Sequence, residues 1–218
     1  MISLQKLNPE QQKAATTVEG PVLILAGAGS GKTGTLTCRI AYMVDHLGIP
    51  SSSILGVSFT NKAAMEMKER VKGLLGLKKS KGITLCTFHS LGIKILKKEI
   101  EKLGYYKNFT IYDMGDQIAL IREALRSFRS GKQFDAQTIL SKIGFLKNSG
   151  INAEEFPHSK HFDPEDAYDD VTEYCYIYYQ EKLKFFNAID FDDILFLTLK
   201  LLNQYPDVAE TYSKKFRY

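Results

Sequence analysis

Ala26-Gly27-Ala28-Gly29-Ser30-Gly31-Lys32-Thr33 alternates small residues with three glycines and ends on an ammonium and a hydroxyl. Such a turn aims backbone N–H groups at phosphate oxygens, and a helix N-terminus behind it adds favourable partial charge. Lys32 has the reach for β- and γ-phosphates, and the Thr33 hydroxyl suits Mg²⁺ carried by the nucleotide. The flanks agree with this reading. Val22 to Leu25 is an apolar run of strand character, and Leu36 to Leu47 has the pattern of a helix. Strand, glycine-rich turn, Lys-Thr and helix together predict a nucleoside-triphosphate cradle. The generic pattern has Gly five residues before Gly31, where this chain has Ala26.

The elements that must hold this cradle follow in a regular order. Asn8-Pro9 suits an N-cap and a first helical turn over residues 8 to 18. Gly48 and Pro50 stop the helix after the glycine-rich turn. Ile54 to Phe59 reads as a second strand, Asn61 to Leu75 as a helix with Ala64, Met67 and Val71 on one side, and Gly82 to Cys86 as a third strand. This β-α-β-α-β order implies a parallel sheet with helices on its faces. The rhythm then changes. Leu91 to Leu103, Gln117 to Phe128 and Gln137 to Asn148 read as helices. Asp163-Pro164 looks like a helix start leading into Tyr168 to Phe186. Phe191-Asp192-Asp193 opens another helix with its carboxylates in the first turn, and Val208 to Phe216 is a last helix or turn entering a strand. The fold class expected is α/β, with a mainly helical lobe inserted into the sheet domain.

Composition bounds the partners. The 218 residues are 44% hydrophobic and 25% charged, with a net charge of +4. The distribution is more telling. Asn61 to Lys102 holds 11 Lys/Arg against 4 Asp/Glu, whereas Gly150 to Glu181 holds 1 against 9. A basic region beside a nucleotide site suits a polyanion. The acidic stretch suits a solvated surface, so Tyr174, Tyr176, Tyr178 and Tyr179 are expected to pack within the helical lobe rather than stack on bases. Cys38, Cys86 and Cys175 are odd in number and far apart, which predicts buried free thiols. His158 and His161 near Asp163 read as part of a polar loop. Neither a signal peptide nor an apolar run approaching 18 residues is visible, so a cytoplasmic setting without membrane contact is expected.

Several segments together resemble the N-terminal part of UvrD/Rep-type superfamily 1 DNA helicases. Leu7-Asn8-Pro9-Glu10-Gln11 with Ala14 is similar to the family's adenine-reading segment. The glycine-rich run matches its phosphate loop, including Ala26. Phe59-Thr60-Asn61-Lys62-Ala63-Ala64 with Met67-Lys68-Glu69-Arg70, then Thr87-Phe88-His89-Ser90, then Asp190-Phe191-Asp192-Asp193 match further motifs in family order. The resemblance implies that Gln11 reads the adenine edge, that Ala26, Gly27, Ala28, Gly29, Ser30 and Gly31 cradle ATP, and that Lys32 and Thr33 handle phosphates and Mg²⁺ in catalysis. It implies that Phe59, Thr60, Asn61, Phe88, His89 and Phe191 meet single-stranded DNA, aromatic faces stacking on bases and polar groups meeting the backbone. Blander roles stay open. Phe59 and Phe88 at strand ends also suit a core, Asn61 suits a helix cap, His89 a satisfied polar position, and Gln11 a solvated helix face.

The resemblance further implies a RecA-like P-loop domain over residues 1–90, an inserted helical lobe over 91–185 and a return to the first domain over 186–218. It implies an ATP-dependent 3′-to-5′ helicase that translocates on single-stranded DNA, acts at single-strand/duplex junctions, and serves DNA repair or replication. Two departures stand out. The family commonly has Arg after Lys-Thr, where this chain has Gly34, which weakens the helix start by about 0.5–1 kcal/mol relative to Ala. Arg39 lies too far along the helix to take that job. The sequence also reaches Tyr218 without the family's apolar strand ending in Asp-Glu and without the second motor domain, so the chain by itself is expected to lack unwinding. Two other readings are a non-catalytic nucleic-acid-binding module and the motor part of a helicase-nuclease subunit. An ordinary P-loop kinase or GTPase fits the turn but not the motifs at Phe59 to Ala64 and Thr87 to Ser90.

Overall fold

The computed structural model describes residues 4–27, 29–128 and 133–218. It is α/β, mostly helical, with short parallel strands. The chain forms two compact units, Met1–Leu91 with Ala209–Tyr218 and Gly92–Val208.

In the first unit, α1 (Pro9–Thr16) is capped by Asn8. The Asn8 side chain accepts the Gln11 N–H at 2.8 Å, and Gln11 Oε1 accepts the Asn8 N–H at 3.1 Å. This reciprocal pair satisfies two amides that the helix cannot bond internally. Helix α2 (Lys32–Asp45) follows the glycine-rich turn and buries Ile40, Ala41 and Met43. Strand β1 (Leu55–Ser58), α3 (Asn61–Ser80), β2 (Thr84–Thr87) and the start of α4 (Phe88–Glu99) complete the alternating order. Ile40, Met43, Ile54, Met67, Val71 and Leu75 form the core. Helix α3 breaks at Gly76, whose φ of 75° is left-handed, one residue past the end expected at Leu75.

Strands β1 and β2 pair in parallel, with Leu55 opposite Thr84 and Ser58 opposite Thr87. Tyr218 lies along the other edge of β1. Its carbonyl accepts the Leu55 N–H at 2.9 Å and its N–H donates to the Ser53 carbonyl at 3.2 Å. The expected strand Val22 to Leu25 does not form. Leu23 and Leu25 are 83% and 86% exposed, and no ladder partner bonds to this run among the described residues. A strand exists only through its neighbours. The near-continuous apolar character read here belongs to a strand flanked on both edges, and β1 spends its edges on β2 and Tyr218.

The second unit is helical. Helices α5 (Met114–Ser127), α6 (Ala136–Asn148) and α7 (Ala167–Phe185) pack around Ile121, Ile139, Ile143, Tyr176 and Tyr179. A two-residue parallel pair, β3 (Thr110–Ile111) with β4 (Ala188–Ile189), ties the entry of the unit to the end of α7. Helix α8 (Phe191–Gln204) packs on α6, and α9 (Pro206–Lys215) follows. Residues 186–208 lie within this second compact unit. Gly92 makes the approach of α4 to α8 possible, since a Cβ there would lie 2.9 Å from Ile194 atoms. Helix α7 begins at Ala167 rather than at Asp163-Pro164. Asp166 caps it by accepting the Tyr168 N–H, while Asp163 is used in the preceding turn. Tyr176 and Tyr179 are fully buried, in keeping with packing rather than base stacking. Cys86 and Cys175 are buried and Cys38 half-buried, all as free thiols. Burial pushes the Cys175 thiol up to about 12, which leaves it unreactive. No described helix is long and apolar enough to cross a membrane.

A buried ammonium secures α6 to α8. Lys147 Nζ lies 2.6 Å from Asp190 Oδ2 and 2.8 Å from Asp193 Oδ1, and all three side chains are at most 2% exposed. Tyr179 donates to Asp190 Oδ2 at 2.8 Å. Asp190 and Asp193 also cap α8 reciprocally. Burial pushes the Asp193 carboxyl above the usual carboxylate range, and Lys147 opposes that shift. Removing Lys147 leaves two buried carboxylates without a counter-charge, which costs about 3–5 kcal/mol. It also removes the charge that opposes the upward shift of the Asp193 carboxyl. A carboxyl raised in the folded state stabilises below its unfolded value and loses that contribution as pH rises through the folded one. Lys147→Ala is therefore expected to destabilise the protein most at neutral pH and least in acid. Urea unfolding across that range checks it; a deficit that does not change with pH contradicts the assignment.

Candidate nucleotide site and aromatic edge

The glycine-rich turn ends on Gly31, the N-cap of α2, with φ 82°. Only glycine takes that left-handed conformation without strain, and a Cβ there would also lie 3.1 Å from Gln11 Nε2. The turn therefore needs Gly31 twice over. The N–H groups of the first turn of α2 lie beyond the reach of intrahelical bonds, and among the described residues no side chain caps them, so they are donors suited to an anion. Lys32 Nζ donates to the Ala26 and Gly27 carbonyls at 2.9 and 2.7 Å. The ammonium thus lies across the loop it would serve. Phosphate oxygens entering there are stronger acceptors than carbonyls. Thr33 sits exposed in the same first turn, and Gly29 takes φ 74°. Ala28 lies outside the described residues.

Gln11 reaches this loop from α1. Its Nε2 donates to the Ser30 carbonyl at 2.9 Å across 19 residues of sequence, while its Oε1 is held by the Asn8 N–H. Two contacts of opposite sense orient the amide. An amide has two N–H groups and two lone pairs, so one of each is left for a ligand edge. A cavity of about 330 Å³ lies at this junction, lined by Asn8, Gln11, Ala14, Ala26, Ser30 and Lys32 among others. Arg39 serves the same junction from behind. Its Nη1 donates to the Ala14 carbonyl at 2.8 Å and also to the Thr17 carbonyl. It does not take the place of the arginine missing at Gly34; it holds the end of α1.

The second constellation is set by strand register. Ser58 faces Thr87 in the parallel pair, so the next residues, Phe59 and Phe88, leave the sheet side by side at the carboxyl ends of the strands. Open α/β sheets hold ligands at that end. The two rings lie 5.7 Å apart at 51°, with Phe59 91% and Phe88 43% exposed. A core role for these rings is excluded by that exposure. Thr60, not Asn61, caps α3. Thr60 has the extended backbone of a cap, and its Oγ1 accepts the Ala63 N–H at 3.1 Å. Asn61 is thereby the exposed first residue of the helix. Thr87 Oγ1 accepts the Ser90 N–H at 3.1 Å and fixes the turn that carries Phe88 and the half-buried His89. Helix α3 presents Lys62, Lys68, Arg70, Lys72 and Lys78 as exposed cations.

In the second unit, Phe191 is the first residue of α8 and is 56% exposed. Its neighbours in the motif point elsewhere. Asp190 and Asp193 go to Lys147, and Asp192 Oδ1 accepts from Asn148 Nδ2 at 2.9 Å. Lys147 and Asn148 belong to none of the motifs and the Ser30 carbonyl is backbone, yet each positions a motif residue. A signal for Lys147 was present: Ile139, Ile143 and Lys147 recur at four-residue spacing, so a lysine continues an apolar helical stripe. Backbone carbonyls such as Ser30 leave no mark in a sequence.

Comparison with known proteins identifies the family of the chain. A family model described as the UvrD/REP helicase N-terminal domain matches residues 7–218. The chain is 42% identical over 216 residues to the ATP-dependent DNA helicase PcrA of Bacillus subtilis (strain 168), covering 99% of this chain and 29% of that protein. It is 39% identical over 223 residues to the PcrA helicase of Staphylococcus aureus (strain Mu50 / ATCC 700699), and 38% over 216 residues to that of Staphylococcus epidermidis, with the same coverage. The chain thus spans 29% of the length of these curated relatives. With residues 7–218 matched by one family model, this chain belongs to the UvrD/REP helicase N-terminal domain family.

Proposed function

We propose that this chain is the ATP-binding, DNA-contacting part of an ATP-dependent DNA helicase that moves 3′ to 5′ on single-stranded DNA and opens duplex at junctions. The observation that supports the proposal most is the Gln11 amide bonded to the Ser30 carbonyl of the glycine-rich loop, beside a cavity that Gln11, Ser30 and Lys32 line together. In this reading Gln11 selects the base. The N–H groups of the loop and of the α2 N-terminus hold the phosphates, and Lys32 moves from the loop carbonyls to the β- and γ-oxygens. Mg²⁺ fits the donors present, since it binds through few protein oxygens and keeps phosphate and water ligands. Thr33 would supply the protein oxygen. When bound, the ion neutralises charge on the phosphates.

Phe59 and Phe88 offer two adjacent faces to unpaired bases, with Thr60, Asn61 and His89 beside them for the backbone. Phe191 is a separate DNA contact proposed on the helical unit. The division into a RecA-like domain over residues 1–90 and 186–218 with a helical insertion over 91–185 belongs to this proposal, as does a cytoplasmic setting. So does a second motor domain that completes the ATP site and lets the cleft open and close on DNA. The 218-residue chain by itself is then a binding element without unwinding activity.

Lys32→Ala removes a charge-assisted contact to phosphate, and ATP affinity of the chain is expected to fall about 10- to 100-fold. Isothermal titration with ATP and Mg²⁺ measures it, and undiminished affinity contradicts the role given to the loop. In the complete helicase the same substitution is expected to abolish turnover and spare DNA binding.

Phe59→Ala and Phe88→Ala are each expected to weaken binding of a single-stranded oligonucleotide by about 1–3 kcal/mol, the worth of one stacked base. They should leave the salt slope nearly unchanged, because the slope counts phosphate contacts. Fluorescence anisotropy at several salt concentrations separates the two quantities. A changed slope with unchanged affinity at low salt would assign these rings elsewhere.

A further inference from the structure

The base-reading amide is only as well placed as the helix that carries it. Helix α1 is eight residues long, too short to be held by its own hydrogen bonds. Its N-terminal end is fixed by the Asn8–Gln11 capping pair. Its C-terminal end is fixed from α2. Arg39 Nη1 donates to the carbonyl of Ala14, in the last turn of α1, at 2.8 Å and to that of Thr17, its C-cap. Ala14 itself lines the cavity that Gln11 and Lys32 share. Arg39 also stands two turns along the helix whose first residue is Lys32. One side chain therefore ties the base-reading helix to the phosphate-binding helix.

We propose that Arg39 is a positioning residue for nucleotide-base selection. It clamps the C-terminal carbonyls of α1 to α2 and so holds the Gln11 amide at a set distance from the loop. It touches neither the base nor the phosphates. This deepens the nucleotide reading given above and rests on it. The clamp is directional. A cation at a helix C-terminus is favoured by the partial negative charge of the unpaired carbonyls, and a planar guanidinium can meet two of them where a lysine ammonium on a flexible stem does so less rigidly. If α1 shifts, the free N–H and lone pair of Gln11 no longer meet an adenine edge. The donors that meet the triphosphate belong to α2 and its loop, and they stay where they are.

The test compares binding of ATP, GTP and inorganic tripolyphosphate, each with Mg²⁺, to the 218-residue chain and to Arg39→Ala, Arg39→Lys and Gln11→Ala. Arg39→Ala is expected to lower ATP affinity about tenfold, the size of one lost hydrogen-bonded contact, and to erase the preference for ATP over GTP. Tripolyphosphate affinity should not change. Arg39→Lys should retain an intermediate preference. The double variant Arg39→Ala with Gln11→Ala should discriminate no worse than Gln11→Ala alone, because both act through one contact. An ATP/GTP ratio unchanged in Arg39→Ala overturns the proposal, as does equal weakening of all three ligands, which would mark a general structural role. If the alanine variant does not fold, Arg39→Lys decides by the same ratio: intermediate supports, unchanged overturns. A parent chain that binds neither ATP nor tripolyphosphate overturns the nucleotide reading itself, a result distinct from failure of the clamp.

Discussion

Everything proposed for the nucleotide depends on one hydrogen bond, from the Gln11 side-chain amide to the Ser30 carbonyl. It joins a short N-terminal helix to a glycine-rich loop that is otherwise a string of small residues with little to pack. The bond has consequences in both directions. It leaves the amide oriented, with a donor and an acceptor toward the cavity. It also gives the loop a fixed point beside Gly31, whose left-handed backbone starts α2. Short loops that bind phosphate depend on such external supports, because glycine contributes conformational freedom and no contacts of its own.

The two units are held by different physics. The first relies on helices packed against a minimal parallel sheet, with Ile40, Met67 and Val71 at its centre. Its aromatic edge is a product of strand register, since shifting β2 by one residue would send Phe88 to the other face. The second unit has an apolar core of its own and, beside it, a cation buried between two carboxylates. Such a cluster contributes little net stability but is intolerant of losing one member. Here it fixes the start of α8, and with Asn148 it occupies every carboxylate of the Asp190 to Asp193 segment. Phe191 in that segment is 56% exposed.

Much of this was legible in the residues. Helix starts were plain where nearby residues mark them, as Asn8-Pro9 does for α1 and the first-turn carboxylates Asp192 and Asp193 do for α8, because such marking is local chemistry within three or four residues. Burial of Tyr176 and Tyr179 followed from an acidic surrounding unsuited to nucleic acid. The errors have a common cause as well. Val22 to Leu25 reads as a strand from its side chains, but strand formation is decided by a neighbour, and β1 bonds to Tyr218 on the edge away from β2. Asn61 and Thr60 are both good caps by type, and the backbone dihedrals chose Thr60. Asp163 and Asp166 are likewise equivalent as letters, and the turn between them chose Asp166.

The sequence by itself determined the groups available: a glycine-rich turn with its lysine and hydroxyl, a glutamine amide, and aromatic residues after two strands. These are properties of residue type and short spacing, which local sterics and hydrogen bonding control. Tertiary structure alone decided which of these groups meet. It brought Gln11 to Ser30, Arg39 to the end of α1, Phe59 beside Phe88, and Lys147 between Asp190 and Asp193. Each of these pairings spans many residues and is selected by packing of whole elements, so no local pattern in the chain encodes it.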